Sequence, residues 1–280
     1  MTQTRLVVVS GKGGVGKSAA AAALALVHQR EGQKVLAVDM LGASGLGAHL
    51  TAGKPGSEPS EIRPGLSILR IDRAKALVEY LKVQSGVPAV GTFGPLARAF
   101  DALASTAPGI REVVTIGKVL WEVRRQVWDV VVVDGPPTGQ VGGYLRAPKT
   151  ISELVPSGRI RQQADWMQSI LLDGKITSVM LVSIPEELPT TETEETIRWL
   201  EEAEVTAAPT VIANRVLPEL KTSAAGRGPV QEAAALHRSL WADQQEWLAR
   251  LRPARALPYL FGLLTPGEVA ARLADSWMET

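Results

Sequence analysis

Residues 11–18 read Gly11-Lys12-Gly13-Gly14-Val15-Gly16-Lys17-Ser18. The apolar run Leu6-Val7-Val8-Val9 precedes them, and an alanine-rich stretch that closes at Gly32 follows. The octet fits G-x-x-x-x-G-K-[ST] in the context that motif requires, after a strand and before a helix. Glycines let backbone N–H groups close around phosphate oxygens, and the helix N-terminus adds its partial positive charge. Lys17 is then expected at the β- and γ-phosphates of a nucleotide such as ATP, with the Ser18 hydroxyl on Mg²⁺. Gly13, Gly14, Val15 and Gly16 complete the expected cradle. The bland alternative is a glycine-rich strand–helix turn that binds nothing.

Moving outward from this loop, β-branched runs recur between longer helical stretches. They are Lys34–Asp39, Leu66–Ile71, Asp129–Asp134, Ser178–Ser183 and Pro209–Ala213. Their apolar character is continuous rather than alternating, so both faces of each strand are expected to be covered. That pattern, with right-handed crossovers, predicts an α/β fold with a doubly wound, mostly parallel sheet. Residues 73–127 are punctuated by Gly86, Pro88, Gly91, Gly94, Pro95, Pro108 and Gly109, which suggests broken helices inserted between two strands. Residues 217–229 are polar and Gly/Pro-rich, as in a surface loop. No internal repeat is present, and the chain is expected to form one domain over 1–280 with a helical insertion at 73–127.

Composition removes several function classes. Of 280 residues, 45% are apolar and 21% charged, which excludes a disordered or fibrous chain. Lys and Arg number 30 against 29 Asp and Glu, so a broad electrostatic surface for nucleic acid or acidic lipid is not expected. Cysteine is absent, which rules out disulfides, cysteine–zinc sites, cysteine-ligated iron–sulfur clusters and thiol catalysis in this chain. The longest apolar run, Ala19 to Val27, is about half a bilayer span, and residues 1–5 lead straight into a strand without a secretory h-region. A cytoplasmic protein is expected. His28, His49 and His237 show no metal-ligand spacing. Val269, Leu273 and Trp277 share one helical face near the C-terminus, and the other side carries Glu268, Asp275 and Glu279 as well as Arg272, so it is not the basic face that anionic lipid wants and core packing is expected.

Two further groups belong with the loop. Lys12 places a second lysine inside it, and Asp134-Gly135-Pro136-Pro137-Thr138-Gly139 follows an apolar strand. An acid at a strand's C-terminal end opposite a phosphate loop is placed to hold the Mg²⁺ shell, although a helix cap is the plainer use of Asp134. The sequence GKGGVGKS resembles the deviant Walker A loop of the ParA/MinD/ArsA group of dimeric ATPases. In that group the extra lysine reaches across a two-fold interface to the partner's nucleotide; the alternative for Lys12 is a solvated loop lysine. DGPPTG looks like the second switch of the ArsA and guided-entry (tail-anchored protein targeting) ATPases, and Ala107–Glu112 is similar to the P-G-[IL]-x-E segment of their helical insertion. Asn214-Arg215 resembles their adenine-reading asparagine, though a strand-end turn residue would look the same. Leu257-Pro258-Tyr259-Leu260 resembles the loop that closes over the base. The resemblance spans residues 11 to about 260.

What it implies is an ATPase in which MgATP closes a dimer, with Lys12, Lys17 and Asp39 as catalytic candidates and Ser18 and Asp134 at the metal. Gly13–Ser18, Asn214, Arg215 and Pro258 would seat the nucleotide, and a protein client would read the switch. The chain also departs from the family pattern. Where a later acid of the first switch orients the attacking water, this chain reads Asp39-Met40-Leu41-Gly42, and leucine neither orients water nor accepts a proton. Three outcomes stay open: Asp39 serves in a shifted register, hydrolysis is slow, or the chain pairs with an active relative as a heterodimer. Without cysteine, arsenite binding through thiols and a CxxC zinc bridge are both impossible. Apolar residues in the insertion, among them Leu77, Tyr80, Leu81, Val83, Val87, Phe93, Leu96 and Phe100, would either line a client groove or cover the sheet. A ParA/MinD-like partitioning ATPase is the remaining alternative.

Overall fold

A computed structural model describes residues 5–42, 45–85, 109–221 and 228–279, the side chains of 80–85 excepted. The predicted strands form β1 (Arg5–Gly11), β2 (Val35–Asp39), β4 (Leu66–Arg70), β5 (Val130–Asp134), β6 (Thr177–Ser183) and β7 (Thr210–Val216). Two short strands escape the sequence pattern: β3 (Ser60–Arg63) and β8 (Arg255–Pro258). Both lie at the edges of the eight-stranded sheet, whose order is β3-β4-β2-β5-β1-β6-β7-β8. An edge strand needs only one partner and little apolar sequence, so its signal is weak. All pairings are parallel except β3 with β4, a hairpin through Pro64 and Gly65.

Both faces of the inner strands are buried. Val8, Leu36, Val38, Val131 and Val133 enter one apolar cluster, while Val7, Val9, Ala37, Val130 and Val132 enter another on the opposite face. This alternation follows from the two-residue period of a strand. The second cluster is covered by α1 (Lys17–Arg30) and the C-terminal α9 (Pro266–Met278), with α2 (Leu46–His49) beside them. Ala19 through Val27 are all buried, so the small alanines of α1 fit a thin layer between sheet and α9. Leu273 is buried in that contact, with Val269 and Trp277 packed alongside, as the helical spacing implies. The other face carries α3 (Arg73–Ser85), α4 (Ile110–Arg124), α5 (Thr138–Leu154), α6 (Arg159–Leu172) and α7 (Glu187–Ala203). Leu77 is buried in its cluster, whereas residues 86–108 lie outside the described residues and the side chains of Tyr80, Leu81 and Val83 are not described. Helix α8 (Pro229–Leu251) joins β7 to β8.

This topology places the site. From β1 the chain passes through α1 to β2, beyond β5, whereas from β5 it passes through α5 and α6 to β6 on the other side of β1. The connections leave in opposite directions, which opens a crevice at the carboxyl ends of the central strands. Residues 11–18 and 134–139 both lie at that edge.

Candidate nucleotide site

Strand β1 ends at Gly11 and α1 begins at Lys17, so residues 12–16 form the turn between them. Val15 is buried and pins the turn to the core. Gly16 takes φ +94°, and a Cβ there would overlap the Asn214 amide, so a side chain is excluded both by conformation and by space. Gly13 and Gly14 are exposed, and nothing lies within 4 Å of where their Cβ atoms would be. Lys17 Nζ donates to Lys12 O at 3.1 Å, curling its side chain over the turn. Burial pushes the Lys17 ammonium below the ordinary lysine range, and the Asp134 carboxylate offsets part of that shift. Ser18 stands in the first turn of α1.

The DGPPTG segment is fastened to β1. Asp134 is in register with Val9, the Gly135 N–H donates to Val9 O at 2.8 Å, and Ser10 Oγ donates to Pro136 O at 2.6 Å. Asp39, at the end of β2, is in register with Asp134 at the end of the adjacent β5, and both carboxylates are buried. Asp39 Oδ1 accepts the Gly42 N–H at 2.8 Å, closing the turn that carries Leu41. Leu41 is half-buried and packs on the apolar cluster beneath it, so an aliphatic side chain suits the place where an acid was sought. Ala43 and Ser44 lie outside the described residues.

Asn214 comes from β7. It is buried, and its Nδ2 donates to Val15 O at 2.8 Å, so it touches the phosphate loop rather than standing apart at a strand end. Because Val15 O only accepts, the amide must present its NH₂ there, which leaves Oδ1 as an acceptor for another group. Arg215 is exposed with φ +57°. Pro258 ends β8 opposite Val216, and the Tyr259 N–H donates to Val216 O at 2.8 Å, so the 257–260 segment lies beside Arg215. Lys12, Lys17, Ser18, Asp39 and Asp134 thus gather at one sheet edge, joined through Val15 by Asn214, with Arg215 and Pro258 at the ends of the next strands.

Sequence patterns passed over three contributors. Glu192, in α7, forms an ion pair through Oε1 with Lys12, and its Oε2 accepts from Thr138 Oγ1 at 3.5 Å. Glu192 sits in the acidic run Glu186–Glu195, where no local spacing singles it out. Thr138 belongs to a motif already noticed but carried no role there, and Ser10 has no motif at all. Among the described residues no group of three or more His, Asp or Glu is arranged to hold a metal ion by side chains alone.

A donor set of this chemistry fits a magnesium–nucleotide complex. Open glycine backbone, two lysines and a helix N-terminus suit phosphate, and two buried carboxylates on neighbouring strand ends suit a divalent cation beside the Ser18 hydroxyl. The fold and site together define a P-loop nucleotide-binding α/β protein. Comparison with known proteins narrows the class: residues 4–165 and 157–233 match the ArsA family, described as an anion-transporting ATPase, and the chain belongs to that family. ATPase BagA of Mycobacterium tuberculosis is 34% identical over 229 residues, covering 78% of this chain and 67% of the relative. ATPase GET3 of Phaeosphaeria nodorum is 25% identical over 254 residues, covering 77% and 78%. An ATPase homologue designated ASNA1 in Entamoeba dispar is 27% identical over 256 residues, covering 76% of each. The chain is therefore an ATP-hydrolysing enzyme of the ArsA type. Among the described residues no helix is long and apolar enough to cross a membrane.

Proposed function

We propose that this chain is a nucleotide-driven switch, in which MgATP brings two copies together across the phosphate loops and hydrolysis releases them to act on a protein client. The observation that carries it is the pair of lysines, Lys12 and Lys17, on one glycine-rich loop beside the buried Asp134. Lys17 would neutralise the β- and γ-phosphates, and Lys12 would meet the nucleotide of the second copy. Ser18 and Asp134 would hold Mg²⁺, which when bound screens the phosphate oxygens and orients them. Asn214 would receive the adenine amino group on Oδ1, an acceptor that guanine's carbonyl would not satisfy. Arg215 and Pro258 would border the base.

Relatives bearing the names GET3 and ASNA1 support the switch reading. The family's description as anion-transporting does not extend to a thiol-held metalloid, because this chain has no cysteine. Dimerisation would rest on Lys12, the nucleotide and apolar surface. A cytoplasmic location is part of this reading. The test is steady-state phosphate release by the purified chain, with light scattering in the presence and absence of MgATP. Turnover abolished by Lys17→Ala, together with a doubling of mass on adding MgATP, is expected; turnover that survives Lys17→Ala would overturn the site assignment.

Leu41 favours a second arrangement. Its packing on the core leaves the first switch without a carboxylate beyond Asp39, so the chain would bind ATP tightly and hydrolyse it slowly until a related subunit completes the site. Tight MgATP binding with turnover that rises on adding such a relative would select this form.

A further inference from the structure

Two observations meet at Glu192. Its Oε1 takes the Lys12 ammonium in an ion pair across 180 residues of sequence, and its Oε2 stands at hydrogen-bond reach of Thr138, the first residue of the helix that follows DGPP. One carboxylate therefore bridges the phosphate loop and the second switch. Both members of the pair keep part of their surface in water, 31% for the Lys12 side chain and 39% for Glu192, so the contact opens without exposing a buried charge. Helix α7 does not depend on it. Trp199 lies against Gly142 of α5, Glu194 pairs with Arg250 of α8 at 2.6 Å, and Thr193 Oγ1 donates to Pro189 O at 2.7 Å.

We propose that Glu192 is a positioning residue of the ATPase, which competes with nucleotide phosphate for the Lys12 ammonium and takes Thr138 as its remaining partner when Lys12 leaves. The inference rests on the reading of Lys12 as a phosphate-neutralising lysine. An ammonium has three donors but one unit of charge, so a carboxylate and a phosphate oxygen cannot both be fully compensated by it. When Lys12 turns to phosphate, Glu192 is left as an anion near a polyanion. That like charge opposes binding, and it points at the residue opening the second switch. Affinity for nucleotide and the position of Thr138 are thereby coupled through one side chain.

The experiment is a double-mutant cycle on MgATP affinity, measured by titration calorimetry on the full chain. Glu192→Gln removes the competing charge and keeps the shape, and it is expected to tighten MgATP binding about two- to tenfold, as suits a half-exposed pair. In the Lys12→Met background the same change is expected to give a clearly smaller gain, because only the direct repulsion between carboxylate and phosphate is left to relieve. Raising the salt concentration should shrink the difference between wild type and Glu192→Gln. Should Glu192→Gln fail to fold, Glu192→Asp, which keeps the charge and shortens the reach, gives the same readout with a smaller gain. Unchanged or weakened binding, or an equal effect with and without Lys12, would overturn the inference. Lys17→Ala separates the two levels. If it abolishes binding while Glu192→Gln is silent, only the role of Glu192 falls; if it binds like wild type, the nucleotide site itself falls.

Discussion

Asn214→Ala distinguishes an anchor of the phosphate loop from a residue that only reads a base. In the structure the Asn214 amide is 4% exposed and donates to Val15 O at 2.8 Å, while Val15 itself is 1% exposed. Alanine removes the donor and leaves a buried carbonyl that water reaches poorly. A buried acceptor without a partner costs about 1–3 kcal/mol, and the small void left by the amide adds to it. We expect the ligand-free chain to lose about 2 kcal/mol in urea unfolding, with the slope unchanged and the midpoint lowered. The seven tryptophans provide the fluorescence signal. MgATP affinity should fall as well, since Gly16 packs against the same amide and the turn loosens with it. A ligand-free unfolding free energy within about 0.3 kcal/mol of wild type would refute the anchoring role, because a residue that only reads the base contributes nothing until the base arrives.

Leu41→Asp should raise phosphate release at least about tenfold if the missing acid limits hydrolysis, since a positioned base contributes roughly 10²–10⁴ in rate; unchanged turnover counts against that view. MgATP affinity should decline with rising pH before ordinary lysines titrate, because burial lowers Lys17 and it loses its proton early; an affinity that holds until ordinary lysines titrate contradicts it. Gly142→Ala puts a Cβ into the Trp199 indole, which must swing aside; we expect about 1 kcal/mol of lost stability and a shifted tryptophan emission, and neither change would show that the contact is dispensable. Thr265→Ala should cost about 1 kcal/mol, since Thr265 and Glu268 form a reciprocal cap on α9. The Thr265 backbone N–H, and then its hydroxyl, hold the Glu268 carboxyl below its usual range, so that help is present above the unfolded carboxylate pKa and disappears as pH falls through the lowered one. A Thr265→Ala defect as large in acid as at neutral pH would contradict this.

What could be read beforehand, and what could not, divides along physical lines. The central strands announced themselves because burial on both faces leaves little choice but Val, Leu and Ile, as in Val130–Val133. The glycine-rich turn between β1 and α1 was legible because its constraint is local: Gly16 must turn left-handed, and Lys17 and Ser18 must open a helix. The place of Asp134 at the end of such a strand was legible for the same reason. Edge strands β3 and β8 were not, because a strand with one neighbour tolerates Glu61, Arg63 and Arg255. Glu192 was invisible for a different reason. Its meaning lies wholly in a contact with Lys12 made by the order of β1, β6 and α7, and no spacing within α7 encodes that. Asn214 stood between the two cases: its residue type was noticed, yet only the fold reveals that its amide hydrogen holds Val15.

The acids that the fold brings to the loop bear directly on how this ATPase completes hydrolysis. The attacking water needs a group that orients it and receives its proton. Asp134 is committed by position, since it ends the strand beside β1 and its field already acts on Lys17. Glu192 is engaged by Lys12 and Thr138. Asp39 has one oxygen closing the turn to Gly42, and Leu41 on that turn is partly buried against the apolar cluster. Leucine at 41 is thus no accident of an exposed loop; its packing helps fix the very turn that Asp39 caps. A carboxylate placed there by Leu41→Asp would have to leave the apolar cluster and point outward. Gain of turnover in that variant would mean the turn has room to swing and the chemistry lacks only the group. No gain, with MgATP still bound, would mean the turn is held by its packing, so that Asp39 or a second subunit must serve the water.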